Sequence, residues 1–176
     1  MACDITLGRL EPCKTVGGLK AIYIMNDSEY NYSDLSFDAD ELVTGTDSND
    51  VSLYKFDLRG ANTMDEVGET NEENGTSFWA TNGSIQLKAQ DKVTRKQLKL
   101  LTYSKPAIIS EGWDGTFKLH GAVNGCTVSM NTNSGSGMGD FNGYTLTITS
   151  KEVQPAFFVD PTIIGDGINF TVVEGV

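Results

Sequence analysis

The single histidine of the chain, His120 in "FKLHGAVNG", is the one side chain whose ordinary pKa suits it to general-base work near neutral pH. A serine-hydrolase mechanism would need that base beside a nucleophile. No GxSxG elbow and no local Cys–His signature accompanies it, so His120 reads as a polar residue next to a turn. Zinc and iron sites draw on several His or Cys ligands, and Cys3, Cys13 and Cys126 form an odd set without CxxC spacing. They indicate neither a metal centre nor a disulfide framework, and Cys126 reads as a small buried hydrophobe. Carboxylates are numerous enough for a two-carboxylate glycosidase, but no spacing singles out a pair. The most conspicuous candidate is "GSGMGDFNGYTLTITSKE", residues 135–152. A dinucleotide fingerprint must open a helix so that backbone amides meet the pyrophosphate, and here a GxGxG run precedes a strand-like alternation. The GK[ST] of a phosphate loop is missing, and Asp140 with Asn142 is too little for a calcium loop. The stretch therefore reads as a flexible connector in which Asp140 and Asn142-Gly143 set a turn. No catalytic residue, metal ligand or cofactor-binding residue is assigned.

Charge is unevenly spread. The net charge is −11, and residues 1–80 hold 16 Asp and Glu against 5 Lys and Arg, whereas residues 81–176 hold 8 of each. Such a balance argues against electrostatic capture of nucleic acid, which needs cations to displace counterions. It leaves open a surface past which DNA slides without sticking. No basic region followed by an apolar run opens the chain, and no stretch nears the roughly 18 apolar residues of a membrane span, so a soluble protein made in the cytoplasm is expected.

The elements that must carry these residues are mostly strands. "LKAIYIM" (19–25), apolar and bounded by Gly17-Gly18 and Asn26-Asp27, reads as a largely buried strand. Short strands are expected at Leu35–Phe37 and Glu41–Val43. "VSLYKFDLRG" (51–60) places Val51, Leu53 and Lys55 on one face and Tyr54, Phe56 and Leu58 on the other. Residues 61–75, with Asp65, Glu66, Glu69, Glu72 and Glu73, read as an exposed acidic loop or hairpin tip turning at Asn74-Gly75. "TSFWATNGSIQLKAQ" supplies one or two strands. The one helix lies in "QDKVTRKQLKLLTYSKP", where Val93, Gln97, Leu100 and Leu101 recur at helical spacing, Asp91 caps and Pro106 closes. Lys88, Lys92, Arg95, Lys96, Lys99 and Lys105 make this segment a basic ridge on an acidic protein. A β-meander follows through "AIIS", "TFKLHGA" and "CTVSM". "YTLTITSKEV" alternates as a half-buried strand, and one or two strands near Ile163-Ile164 and Phe170–Val173 end the chain. The expectation is one mainly β domain over 1–176, an antiparallel β-sandwich or barrel of about eight strands with one flanking α-helix. The termini are available as extensions for assembly.

In order, "CDITLGRLEPCKTVGGLKAIYI", "LYKFDLRG", "NEENGTSFWATNGSIQL", the "TRKQLKLLT" helix and "GMGDFNGYTLTITSKEVQPAFFV" resemble virion structural proteins of tailed bacteriophages, most closely the tail tube (major tail) proteins. The resemblance covers most of the chain and is weakest over 27–50 and the last 20 residues. It implies a β-sandwich with a flanking helix that forms hexameric rings stacked into a tube for DNA passage. Expected partners are further copies of the chain, the tape measure and completion proteins, and double-stranded DNA crossing the lumen unbound. No membrane partner is expected, and the location is the virion tail, assembled in the host cytoplasm. On this reading part of the acid of residues 1–80 faces the lumen and some pairs with the basic helix, Lys92, Arg95, Lys96 and Lys99, of a neighbour, while the 61–75 loop, with Asp65, Glu66, Glu69, Glu72 and Glu73, orders on assembly by lying on the adjacent subunit or the next ring. Two other readings fit a β-rich acidic chain: a head decoration protein, and a carbohydrate-binding sandwich that would use Trp79 and Trp113 as stacking platforms.

Overall fold

The apolar run at 19–25 has no polar face because both of its faces are covered. In the computed structural model, which describes residues 5, 7–11, 13–47 and 51–175, strand β1 (Leu19–Met25) sends Ala21, Tyr23 and Met25 into one core and Ile22 and Ile24 into another. Its neighbours are β4 (Val51–Asp57) and β7 (Ala107–Gly112), both antiparallel to it. These three strands form the partition between the two halves of the molecule.

Beyond β7 the sheet continues through β8 (Phe117–His120), β11 (Phe157–Val159), β3 (Val43–Thr46) and β2 (Leu35–Phe37), and β12 (Phe170–Val173) lies outside β4. This eight-stranded sheet curls into a half-barrel around the first core, which holds Leu53, Ile109, Leu119, Phe157 and Phe170. Asn169 helps to close the curl. Its Oδ1 accepts from Thr46 N at 3.0 Å and its carbonyl accepts from Val51 N at 3.1 Å, tying β3 to the start of β4.

Four strands form the second sheet, in the order β5 (Thr63–Asn71), β6 (Thr76–Lys88), β10 (Gly143–Glu152) and β9 (Thr127–Asn133), all antiparallel. Period-two alternation puts Ile85, Val128, Leu146 and Ile148 on the inner face, against Ile22, Ile24 and Ile108 of the larger sheet. Helix α1 (Lys92–Leu101) packs beside β9, with Leu98 and Leu101 in the same core. Asp91 caps it by accepting from Thr94 N at 2.9 Å.

A mainly β sandwich with one helix is therefore present, with five departures from the sequence reading. The strands number twelve among the described residues rather than about eight. Antiparallel pairing is incomplete, since β12 runs parallel to β4 and β11 parallel to β3. Residues 63–71, expected within a loop, form β5, paired with β6 from Thr63↔Ser84 to Asn71↔Thr76, and only the 72–75 turn stands free. The helix face also differs. Leu98, not Val93, Gln97 or Leu100, joins Leu101 inside, because Thr94, Leu98 and Leu101 share the inward stripe while Val93 and Leu100 are exposed. β3 starts at Val43, two residues later than expected, after a turn in which the Asp38 carboxylate holds the amides of Asp40 and Leu42.

Candidate functional site

His120 ends β8 with its side chain in the space between the two sheets, 2% exposed. It is not simply turn-adjacent. Nε2 lies 3.0 Å from Ser110 Oγ, and that hydroxyl reaches the Lys118 carbonyl at 3.5 Å. Using both contacts places the ring proton on Nε2 and leaves Nδ1 a bare acceptor, with no partner among the described residues. Burial, reinforced by Lys118, pulls the imidazole down to about 4, so it is neutral at pH 7. Cys126 is also buried, and its thiol is pushed up to about 12, mainly by desolvation. A thiol so held is no nucleophile near neutrality. Cys13 is exposed, and Cys3 lies outside the described residues.

The glycine stretch behaves as a connector. Asp140 Oδ2 accepts from Ser136 N at 2.9 Å, Ser136 Oγ at 2.8 Å and Gly137 N at 2.7 Å, closing the turn. Those bonds hold its carboxyl below the ordinary aspartate value. The loop is anchored by Asn142, whose carbonyl accepts from Ala89 N at 2.9 Å and whose Oδ1 accepts from Gln90 Nε2 at 2.9 Å. At Gly143 a Cβ would lie 2.1 Å from the Leu87 carbonyl, so only glycine permits β10 to start against β6. Among the tryptophans, Trp79 lies half-buried across Gly68, whereas Trp113 is 57% exposed beside Gly18. They do not make a paired stacking platform.

What the fold organises is charge. Asp65, Glu66 and Glu69 sit on β5, one edge of the four-stranded sheet, and Glu72 and Glu73 on the hairpin turn beyond it. Lys92, Arg95, Lys96 and Lys99 sit on α1, beside the opposite edge strand β9. Two intervening strands separate the groups by three strand spacings, about 14 Å. The ion pairs among the described residues are Lys20–Glu111, Lys55–Asp57 and Lys55–Glu174, so neither group is neutralised within the chain. Between the charged edges the outward face carries Asn82, Ser84 and Gln86 on β6, Thr127, Ser129, Asn131 and Asn133 on β9, and Thr145, Thr147 and Thr149 on β10. All ten are uncharged and polar, whereas Lys88 on β6 and Lys151 on β10, two residues beyond Gln86 and Thr149, carry charge at the two ends of the same face. Thr, Ser and Asn at alternating positions were visible in the sequence, but their union into one face depended on the strand register.

A cavity of about 250 Å³ opens where β5, β6 and β10 meet β8 and β11. Glu66, His120 and Glu152 line it together with apolar groups including Leu119, Val153 and Phe157. Glu66 Oε1 accepts from Ala156 N, and Glu152 Oε1 accepts from Val123 N at 3.3 Å and Asn124 N at 2.9 Å. Sequence reasoning placed Glu66 in the acidic segment but did not find Glu152 or the cavity, because their approach links residues more than 80 positions apart. Among the described residues no group of three or more His, Cys, Asp or Glu is placed to hold a metal, and no helix is long and apolar enough to cross a membrane. Comparison with family models, curated proteins and solved structures finds no match to the chain.

Proposed function

We propose that this protein is a structural subunit of a bacteriophage tail tube, whose copies join side by side into hexameric rings and stack into a channel for DNA. The observation that carries the reading is the four-stranded sheet, whose outward face has an uncharged polar centre between Lys88 and Lys151 and is bounded by an acidic edge and a basic helix. Opposite charges on opposite edges are complementary head to tail. A heterologous contact of this kind closes into a ring when its rotation divides the circle. The chain also exposes Ile5, Leu7 and Leu10 in an arm without regular structure, apolar surface that a second copy would cover.

The charge pattern revises where the acid acts. Asp65, Glu69, Glu72 and Glu73 belong to the contact between neighbours, and the Thr, Ser and Asn face lines the lumen. At its centre such a wall offers DNA neither cations to bind nor apolar surface to adhere to, with Lys88 and Lys151 confined to its two ends. Negative-stain microscopy of the purified protein tests the reading. Tubes of stacked rings are expected, and a chain that stays monomeric, or forms only closed trimers as a head decoration protein would, overturns it.

A further inference from the structure

The cavity beside Glu66 is too small for an ordinary small-molecule site. At about 250 Å³ it falls below the roughly 300–1,000 Å³ typical of such pockets and matches one long side chain. Its chemistry narrows the occupant further. Glu66 and Glu152 each spend one carboxylate oxygen on backbone amides, leaving Oε2 without a hydrogen bond among the described residues. His120, in the same lining, has its unpartnered Nδ1 and is neutral. These three groups all offer acceptors, with apolar walls beside them, so the complementary guest is a cationic donor on an aliphatic stem.

We propose that the cavity seats Arg95 from α1 of a second copy of this chain. This rests on the self-association reading and specifies its contact. Within one chain the seat is out of reach. Leu98 and Leu101 turn α1 toward the core, Arg95 is exposed on its flank beside β9, and Glu66 lies on β5 across the sheet. Between two copies the same geometry brings helix and cavity together. A guanidinium forks its five N–H donors across two carboxylates, which an ammonium does not match in geometry. The lysines of α1 then lie toward the exposed acids of the β5–β6 hairpin, where water weakens each pair.

The experiment is sedimentation velocity on the full chain across a concentration series. Arg95→Glu and Glu66→Gln should each raise the concentration needed for association by about tenfold or more, the scale of losing a partly desolvated ionic contact. Glu66→Gln keeps an acceptor for Ala156 N, so its fold is retained, which the thermal melt checks. Lys96→Glu should cost less than Arg95→Glu. Because the contact is head to tail, a mixture of Arg95→Ala with Glu66→Lys, each blocked on a different surface and not complementary to the other's blocked surface, should yield dimers and nothing larger. Unchanged association in Arg95→Glu or Glu66→Gln overturns the seat while leaving tube formation standing, as does an equal loss in Lys96→Glu. A wild-type chain that remains monomeric overturns both.

Discussion

Gly143 shows how one residue can set a sheet. A Cβ there would collide with the Leu87 carbonyl, a backbone atom already committed to the β6–β10 ladder. Gly143→Ala should therefore destabilise the fold by about 1–3 kcal/mol in urea denaturation, the range of an overpacked site. Gly139→Ala, with nothing within 4 Å of its Cβ, should stay within about 0.5 kcal/mol of the wild type. His120 acts through protonation instead. Its folded value of about 4 lies below the ordinary 6.5, so between those limits the unfolded chain binds more protons. Its contribution is fully present above pH 6.5 and is lost as pH falls toward 4, a swing of about 3 kcal/mol at 1.36 kcal/mol per unit. The lowered carboxyls of Asp91, Asp114, Asp140, Asp160 and Asp166 also stabilise the folded state, but they lose that effect at more acidic pH. His120→Gln should flatten the stability curve between pH 4 and 6.5 and leave the steeper loss below it. A slope unchanged in that window would show that the imidazole is not held neutral by burial.

Among the elements, α1 gives the sharpest contrast. Leu98 is fully buried and Leu100 is 56% exposed, although both are leucines of one helix. Leu98→Ala should cost about 2–5 kcal/mol, and Leu100→Ala no more than about 0.5 kcal/mol. Equal losses would place the helix in a different rotation. The helix and its Asp91 cap were readable from spacing, but choosing its inward face was not, because a leucine at 98, 100 and 101 lets two stripes compete. Strand β1 and strand β10 were equally plain, the first as an unbroken apolar run and the second as strict alternation. β5 escaped notice because it is an edge strand exposed along most of its length, so its side chains carry no hydrophobic period. Of the short strands, β2 and β12 were legible at Leu35–Phe37 and Phe170–Val173 and β3 was expected two residues early, whereas β11 (Phe157–Val159) depends on partners far along the chain, such as Val159↔Val43, and has too few residues to show a pattern of its own. The site followed the same rule. Acidic and basic clusters were legible as composition, whereas their separation to opposite edges arises from the strand order, which local sequence does not encode.

At the scale of the whole molecule the proposed tube raises the question of how an acidic protein would treat DNA. A net charge of −11 repels a polyanion at long range, but within a Debye length of the wall the local residues decide. The centre of the outward face of the four-stranded sheet, between Lys88 and Lys151, brings neither attraction nor strong repulsion there, and adding cations to it should convert a sliding surface into a binding one. Thr147 and Asn82 suit the test: both are exposed, they lie on paired strands β10 and β6, and they are diagonal neighbours rather than directly opposed, which limits mutual repulsion. Assembled wild-type protein should leave duplex DNA free at about 50 mM salt. The Thr147→Lys, Asn82→Lys variant should retain it there and release it by about 200 mM, since each neutralised phosphate steepens the salt dependence by about 0.9 in log–log slope. Repetition around a ring multiplies two lysines per subunit into a continuous basic belt, so the effect should appear in assembled protein and be far weaker in dissociated subunits. Retention of DNA by the wild type, or a variant ring that still leaves DNA free, would remove this face from the wall of the proposed channel.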